Sequence, residues 1–262
     1  MGIIDTYSWL EEHYEKPEEI CRHFTEYMPL KPMDIYRFLQ SRGMYRPVRG
    51  GRNELHERKE IWGILQSEFT SLRRWLKGPD VPIYILPADR FNRYIQRQYN
   101  GKSGLAFRTC IFLFVSDNNS EDELRAMLTH EYHHVCRLAA FYKEEEEYTL
   151  LDTMVLEGLA EAAVAARHTP EMHAVWVSYY TKEEAIQLWH RYVKRHIEVK
   201  KGTKLHEELV NGLGRYPRLL GYCVGYHIVQ DCLARHKLST VRLLSIDSRK
   251  ILQYAEGFST KD

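Results

Sequence analysis

His130-Glu131-Tyr132-His133-His134 reads as HExxH. If the stretch is helical, His130 and His134 stand at i and i+4, one turn apart on one face, where two imidazoles can hold a single zinc ion. Glu131, next to the first histidine, is then aimed at a water on that ion. The residues upstream argue for the helix. Asp117-Asn118-Asn119-Ser120 is a turn, and Ser120 with Glu123 makes a Ser-x-x-Glu capping box. Leu124, Met127, Leu128, Val135 and Leu138 then recur at helical spacing. Glu131 falls inside that apolar stripe, with His130 and His134 along its edge. A carboxylate turned towards a core is costly unless it is paired or used. His133, three residues after His130, could stand in as second ligand. His134 is preferred because the i,i+4 pair leaves Glu131 beside the open metal position.

Outward from this helix, Val81–Leu86 and Gly104–Val115 are strand-like runs, the second rich in β-branched and aromatic residues. The second is the candidate edge against which an extended peptide could pair. Downstream, Thr149-x-x-Asp152 opens another helix, expected over Leu150–Arg167 and crowded with small residues. It carries Glu157-Gly158-Leu159-Ala160-Glu161. Two acids at i and i+4 on an otherwise small and apolar helix need a reason. Glu157 would complete a His₂Glu zinc set. Glu161 could accept the spare N–H of a ligating histidine, His130 first.

The first third reads as helices. Pro17 opens one, and Pro32 opens a second that stops at Gly43. Arg46–Arg52 is a loop. Asn53 could cap a long third helix ending at Gly78. Aromatic-rich helical segments follow Pro170, and Lys200–Arg215 reads as a polar loop. A helix is expected over Leu219–Arg235 and a short last one from Ser239. The Leu219 helix offers Tyr222 and, second, Tyr226 as donors to an oxyanion, with His227 nearby; both tyrosines could equally be core residues. Gly221 and Gly225 on that helix suggest close approach of another backbone.

At 262 residues with 37 basic and 36 acidic side chains, the charge balance of +1 argues for no nucleic acid. No basic tract argues for anionic lipid, and no apolar stretch reaches membrane-spanning length. The five cysteines (21, 110, 136, 223, 232) are scattered without a CxxC pair, as expected for free thiols in a cytoplasmic protein. Oligomeric state is not legible.

HEYHH at 130–134 with EGLAE at 157–161, on consecutive helices, resembles the thermolysin-type or gluzincin clan of zinc metallopeptidases. More closely, the chain resembles an uncharacterised bacterial family of proteins read as zinc-dependent proteases. That likeness runs through Lys77–Pro82, the following strand, both motifs, and Gly221-Tyr222-x-x-Gly225-Tyr226. The resemblance implies an α+β, mostly helical fold, with a zincin-like catalytic domain over 79–262 whose small mixed sheet lies beside the HExxH helix. Residues 1–78 would form a helical N-terminal region. It implies one Zn²⁺ per chain on His130, His134 and Glu157, with Glu131 as catalytic base, Glu161 as support to a ligand, and a peptide or protein substrate. One departure is Leu156, where thermolysin-type enzymes carry Asn before the ligand glutamate. Two rival readings are a zinc-binding regulatory or interaction module that has lost hydrolysis, and a metal-free helical interaction protein.

Overall fold

Prolines and glycines punctuate the N-terminal helices as their chemistry dictates. In the computed structural model, which describes residues 1–51 and 53–259, a two-residue strand β1 (Gly2–Ile3) precedes α1 (Thr6–His13), α2 (Pro17–Cys21) and α3 (Pro32–Arg42). Pro sits at the first position of α2 and α3, where its missing N–H is not needed. Gly43, at φ 125°, ends α3. Arg52, the expected end of the loop from Arg46, lies outside the described residues. The next helix, α4 (Glu60–Leu76), is shorter than expected. Asn53 is buried and its side chain accepts from Leu55 N in a turn ahead of the helix. Lys77, not Gly78, takes the left-handed C-cap.

Two compact units follow the chain, Met1–Val135 and Cys136–Asp262. In the first, β2 (Pro82–Pro87), α5 (Arg93–Tyr99), β3 (Ser103–Ala106) and β4 (Ile111–Val115) complete a four-stranded sheet of order β1-β2-β4-β3. β1, β2 and β4 run parallel, and β3 is antiparallel to β4. The run Gly104–Val115 is therefore a hairpin, not one strand. Phe107 N donates to Cys110 O across its turn, and no Gly or Pro marks the reversal. β2 and β4 are buried at every position, so they read as continuous apolar runs, as strands covered on both faces do. Tyr84, Leu86, Phe112 and Phe114 pack on Leu10, Phe24, Ile35 and Leu39 of the N-terminal helices.

Helix α6 (Glu121–Ala140) carries HExxH and runs across the boundary of the two units. Ser120 and Glu123 close the expected capping box, Glu123 N to Ser120 Oγ at 3.2 Å and Ser120 N to Glu123 Oε2 at 2.9 Å. In the second unit, α7 (Leu150–Arg167) begins with the Thr149–Asp152 capping box. α8 (Lys182–Leu188), α9 (Lys204–Asn211), α10 (Leu220–His236), α11 (Thr240–Leu243) and α12 (Ser248–Tyr254) complete it. α9 lies where a polar loop was expected; its buried residues are only His206, Leu209 and Val210. The segment after Pro170 forms short 3₁₀ turns before α8.

The structure is thus α+β and mostly helical, with a small mixed sheet. All five cysteines are buried, and none forms a disulfide. Among the described residues, no helix is long and apolar enough to cross a membrane.

Candidate metal centre

α6 is held in rotation by the residues around its motif. Tyr132, fully buried, donates its hydroxyl to Pro79 O at 2.8 Å and meets Phe69 edge-to-face. That anchor turns Tyr132 into the core of the first unit and sets the direction of its neighbours on the helix. His130 is half-buried and His134 buried, and their rings stand edge-to-face with centroids 4.6 Å apart. The i,i+4 geometry expected of the pair is realised.

Glu131 is buried with 9% of its surface exposed. Its carboxylate lies directly over Gly104 of the edge strand β3. A Cβ built on Gly104 would overlap Cγ, Cδ and Oε1 of Glu131. Gly104 has an ordinary negative φ, so the demand for glycine here comes from the room that Glu131 occupies.

The register of the β3–β4 hairpin determines which groups β3 offers outward. Leu105 opposes Phe112, and the pairing continues through Phe107 N to Cys110 O. In an antiparallel ladder alternate residues face the partner, which leaves the N–H and C=O of Gly104 and Ala106 on the open side. The opposite sheet edge, by contrast, has a side-chain partner. Ile3 N on β1 donates to the side-chain oxygen of Gln66 at 2.9 Å.

α7 brings the carboxylates. Glu157 is half-buried and Glu161 is 2% exposed. Ligand-capable atoms of His130, His134 and Glu157 all lie within 4.8 Å of one another. Two imidazoles and one carboxylate are the donor set of catalytic zinc sites, and this close grouping could hold a metal ion. The residues therefore fit zinc.

Glu161 has a partner that sequence reasoning did not anticipate. Its Oε1 accepts the backbone N–H of Ala174 at 2.7 Å. This ties the 3₁₀ segment after Pro170 to α7. The same segment is tied to α10 by Cys223 Sγ, which donates to Trp176 O at 3.0 Å, and by His227 Nε2, which donates to Tyr180 O at 2.9 Å. His227 is thereby engaged with the backbone, and burial holds its pKa down. Pro170 and the aromatic density were the only sequence signals for this strap.

Tyr222 and Tyr226 both meet the Trp176 ring edge-on, at 5.4 and 6.2 Å. The Tyr226 hydroxyl is pushed above its ordinary pKa by burial and then by the charge of Glu161. The glycines of α10 act as expected. A Cβ on Gly158 of α7 would stand 2.5 Å from Gly225 O, and one on Gly221 would stand 2.8 Å from Val210 Cα. Close contact between α7 and α10 at Gly158 and Gly225 thus fixes the register of Tyr226 against the helix that carries Glu157.

Comparison with known proteins agrees with this geometry. Residues 61–253 match the family described as "Predicted Zn-dependent protease (DUF2268)", and the chain belongs to that family. It is 38% identical over 262 residues to the "Uncharacterized protein YjaZ" of Bacillus subtilis (strain 168), covering 96% of this chain and 98% of that one. It is 25% identical over 207 residues to the "Uncharacterized protein YjfC" of the same strain, covering 75% of this chain and 68% of that one.

Proposed function

We propose that the protein is a zinc metallopeptidase of gluzincin type, with a zincin-like arrangement of edge strand, HExxH helix and glutamate helix. The observation that supports the reading is that ligand-capable atoms of His130, His134 and Glu157 lie within 4.8 Å of one another. These three residues would hold the ion. Zinc, when bound there, supplies Lewis acidity, polarising a peptide carbonyl and making water more acidic. Glu131 accepts the proton of the attacking water and returns it to the departing amine. A tyrosine of α10 donates a hydrogen bond to the developing oxyanion. Tyr226 is supported by the burial and the Glu161 charge that keep its proton in place; Tyr222 is the alternative. Glu161 steadies the ligand helix. The outward N–H and C=O of Gly104 and Ala106 supply an extended peptide with pairing partners beside Glu131. The closed edge at Ile3 leaves β3 as the open side of the sheet.

The space that Gly104 leaves for Glu131 favours an enzyme over a silent zinc-binding module, which has no need of a base in that place. The test is cleavage of a broad peptide library by wild type and Glu131→Gln, each with its zinc content measured. The expected result is cleavage by wild type alone, with equal zinc in both. Zinc in both and cleavage by neither would establish the silent module instead.

A further inference from the structure

The expectation that no basic tract argues for anionic lipid fails between Arg191 and Lys204, where the balanced charge of the chain hides a local concentration. Arg191, Lys194, Arg195, Lys200, Lys201 and Lys204 share their stretch with Glu198 alone among acids. α8 continues into a π-turn (Trp189–Val193) and a 3₁₀ turn (Lys194–His196). Trp189 and Val193 face inward and are buried, while Arg191, Lys194 and Arg195 are exposed. Folding adds a cation from further along the chain. Tyr192 and Tyr216 meet edge-to-face at 5.8 Å, with the Arg191 guanidinium over the first ring and that of Arg215 over the second. Arg195 and Arg215 both lie close enough to His196 to lower its pKa, after burial itself. Arg195 donates to Arg191 O, so Arg191, Arg195 and Arg215 are one cluster, with Lys194 next to Arg195 in the chain. Glu208 acts on Arg215 through its charge, but among the described residues none of the four cations is in an ion pair.

Beside the cluster projects a fixed loop. Leu219 N to Asn211 O closes its base, and Leu213 N to Glu208 O and Tyr216 N to Leu213 O shape its tip. Gly212 and Gly214, at φ 66° and 63°, flank Leu213. A Cβ on Gly212 would collide with the Pro217 carbonyl, so the loop is seated against its own base. At the tip Leu213 is 51% exposed.

We propose that this face docks the protein on an anionic phospholipid surface, the four cations meeting headgroups and Leu213 entering the boundary beneath them. Clustered unpaired cations call for a dense anionic surface, and an exposed leucine at their rim is useful where apolar depth lies behind the charge. Single-stranded nucleic acid would need open aromatic faces for stacking. Here the Tyr216 ring is buried, and both rings are covered by arginines.

The test is co-sedimentation of the full chain with vesicles of phosphatidylcholine alone and of phosphatidylcholine mixed with phosphatidylglycerol, at low and high salt. Binding is expected only to the mixed vesicles and falls with salt. Each cation removed should weaken it about fivefold, so Arg191→Gln/Lys194→Gln/Arg195→Gln loses about a hundredfold. Leu213→Ser, which removes the apolar side chain without adding charge, should weaken vesicle binding several-fold yet leave retention on heparin unchanged. Thermal melting of each variant checks that it is folded. Failure of wild type to bind the mixed vesicles, or wild-type binding by the folded triple variant, overturns the proposal. So does an unaltered vesicle affinity in Leu213→Ser, which would make the face a general polyanion site.

Discussion

Replacing Gly104 by Ala tests whether the position of Glu131 matters to the chemistry. The new Cβ falls about 1 Å inside ordinary contact distance of the Glu131 carboxyl group. Glu131 is buried on an anchored helix, so the carboxylate must swing aside by a similar amount. Misplacing a reacting group by about 1 Å costs on the order of a hundredfold in rate. Stability should change little, because φ at Gly104 is negative and alanine restricts the unfolded chain, a gain of up to about 1 kcal/mol that offsets some strain. The substitution does not touch the outward N–H and C=O of β3, so peptide pairing there is retained. The assay is kcat/KM on a cleaved peptide, with zinc content and the urea unfolding midpoint measured on the same preparation. A drop of about a hundredfold with zinc and midpoint retained is expected. Wild-type kcat/KM in Gly104→Ala would refute the claim that Glu131 works from the place this fold gives it.

Other residues give independent checks. Arg137, 3% exposed, donates to the carbonyls of Leu243, Leu244 and Ile246 at 3.0, 2.7 and 2.7 Å; burial lowers its pKa to about 10. Arg137→Met orphans those carbonyls and should cost at least about 3 kcal/mol in urea unfolding. Gly158→Ala forces α7 and α10 apart at Gly225; it should lower stability by about 1–3 kcal/mol and weaken zinc affinity in a competitive titration. Burial tends to raise the Asp152 carboxyl, but donors on Lys143, Ser248 and Thr149 outweigh it and hold the pKa below 3.8. A depressed folded-state pKa stabilises at pH above 3.8, and that contribution is lost as pH falls through the folded value. The stability gap between wild type and Asp152→Asn should therefore be full at neutral pH and shrink in acid.

Local chemistry made much of this architecture legible. The Ser120–Glu123 and Thr149–Asp152 boxes start α6 and α7 where the side chains say they should, because those caps are satisfied within four residues. His130, His134 and Glu157 could be nominated because helical spacing is a short-range rule. The reversal at Phe107–Cys110 was not legible, since neither glycine nor proline marks it. β1 is two residues long and exists through its pairing with β2, a contact far along the chain. The bond from Ala174 N to Glu161, the packing of Tyr216 against Tyr192, and the need for glycine at 104 are all tertiary. No periodicity in one segment encodes them.

The central claim is tested most directly by zinc-edge anomalous diffraction from crystals of the zinc-loaded protein. One strong peak per chain is expected, bonded to ring nitrogens of His130 and His134 and to the Glu157 carboxylate. A peak on other residues, or none at these three with zinc in excess, would contradict it.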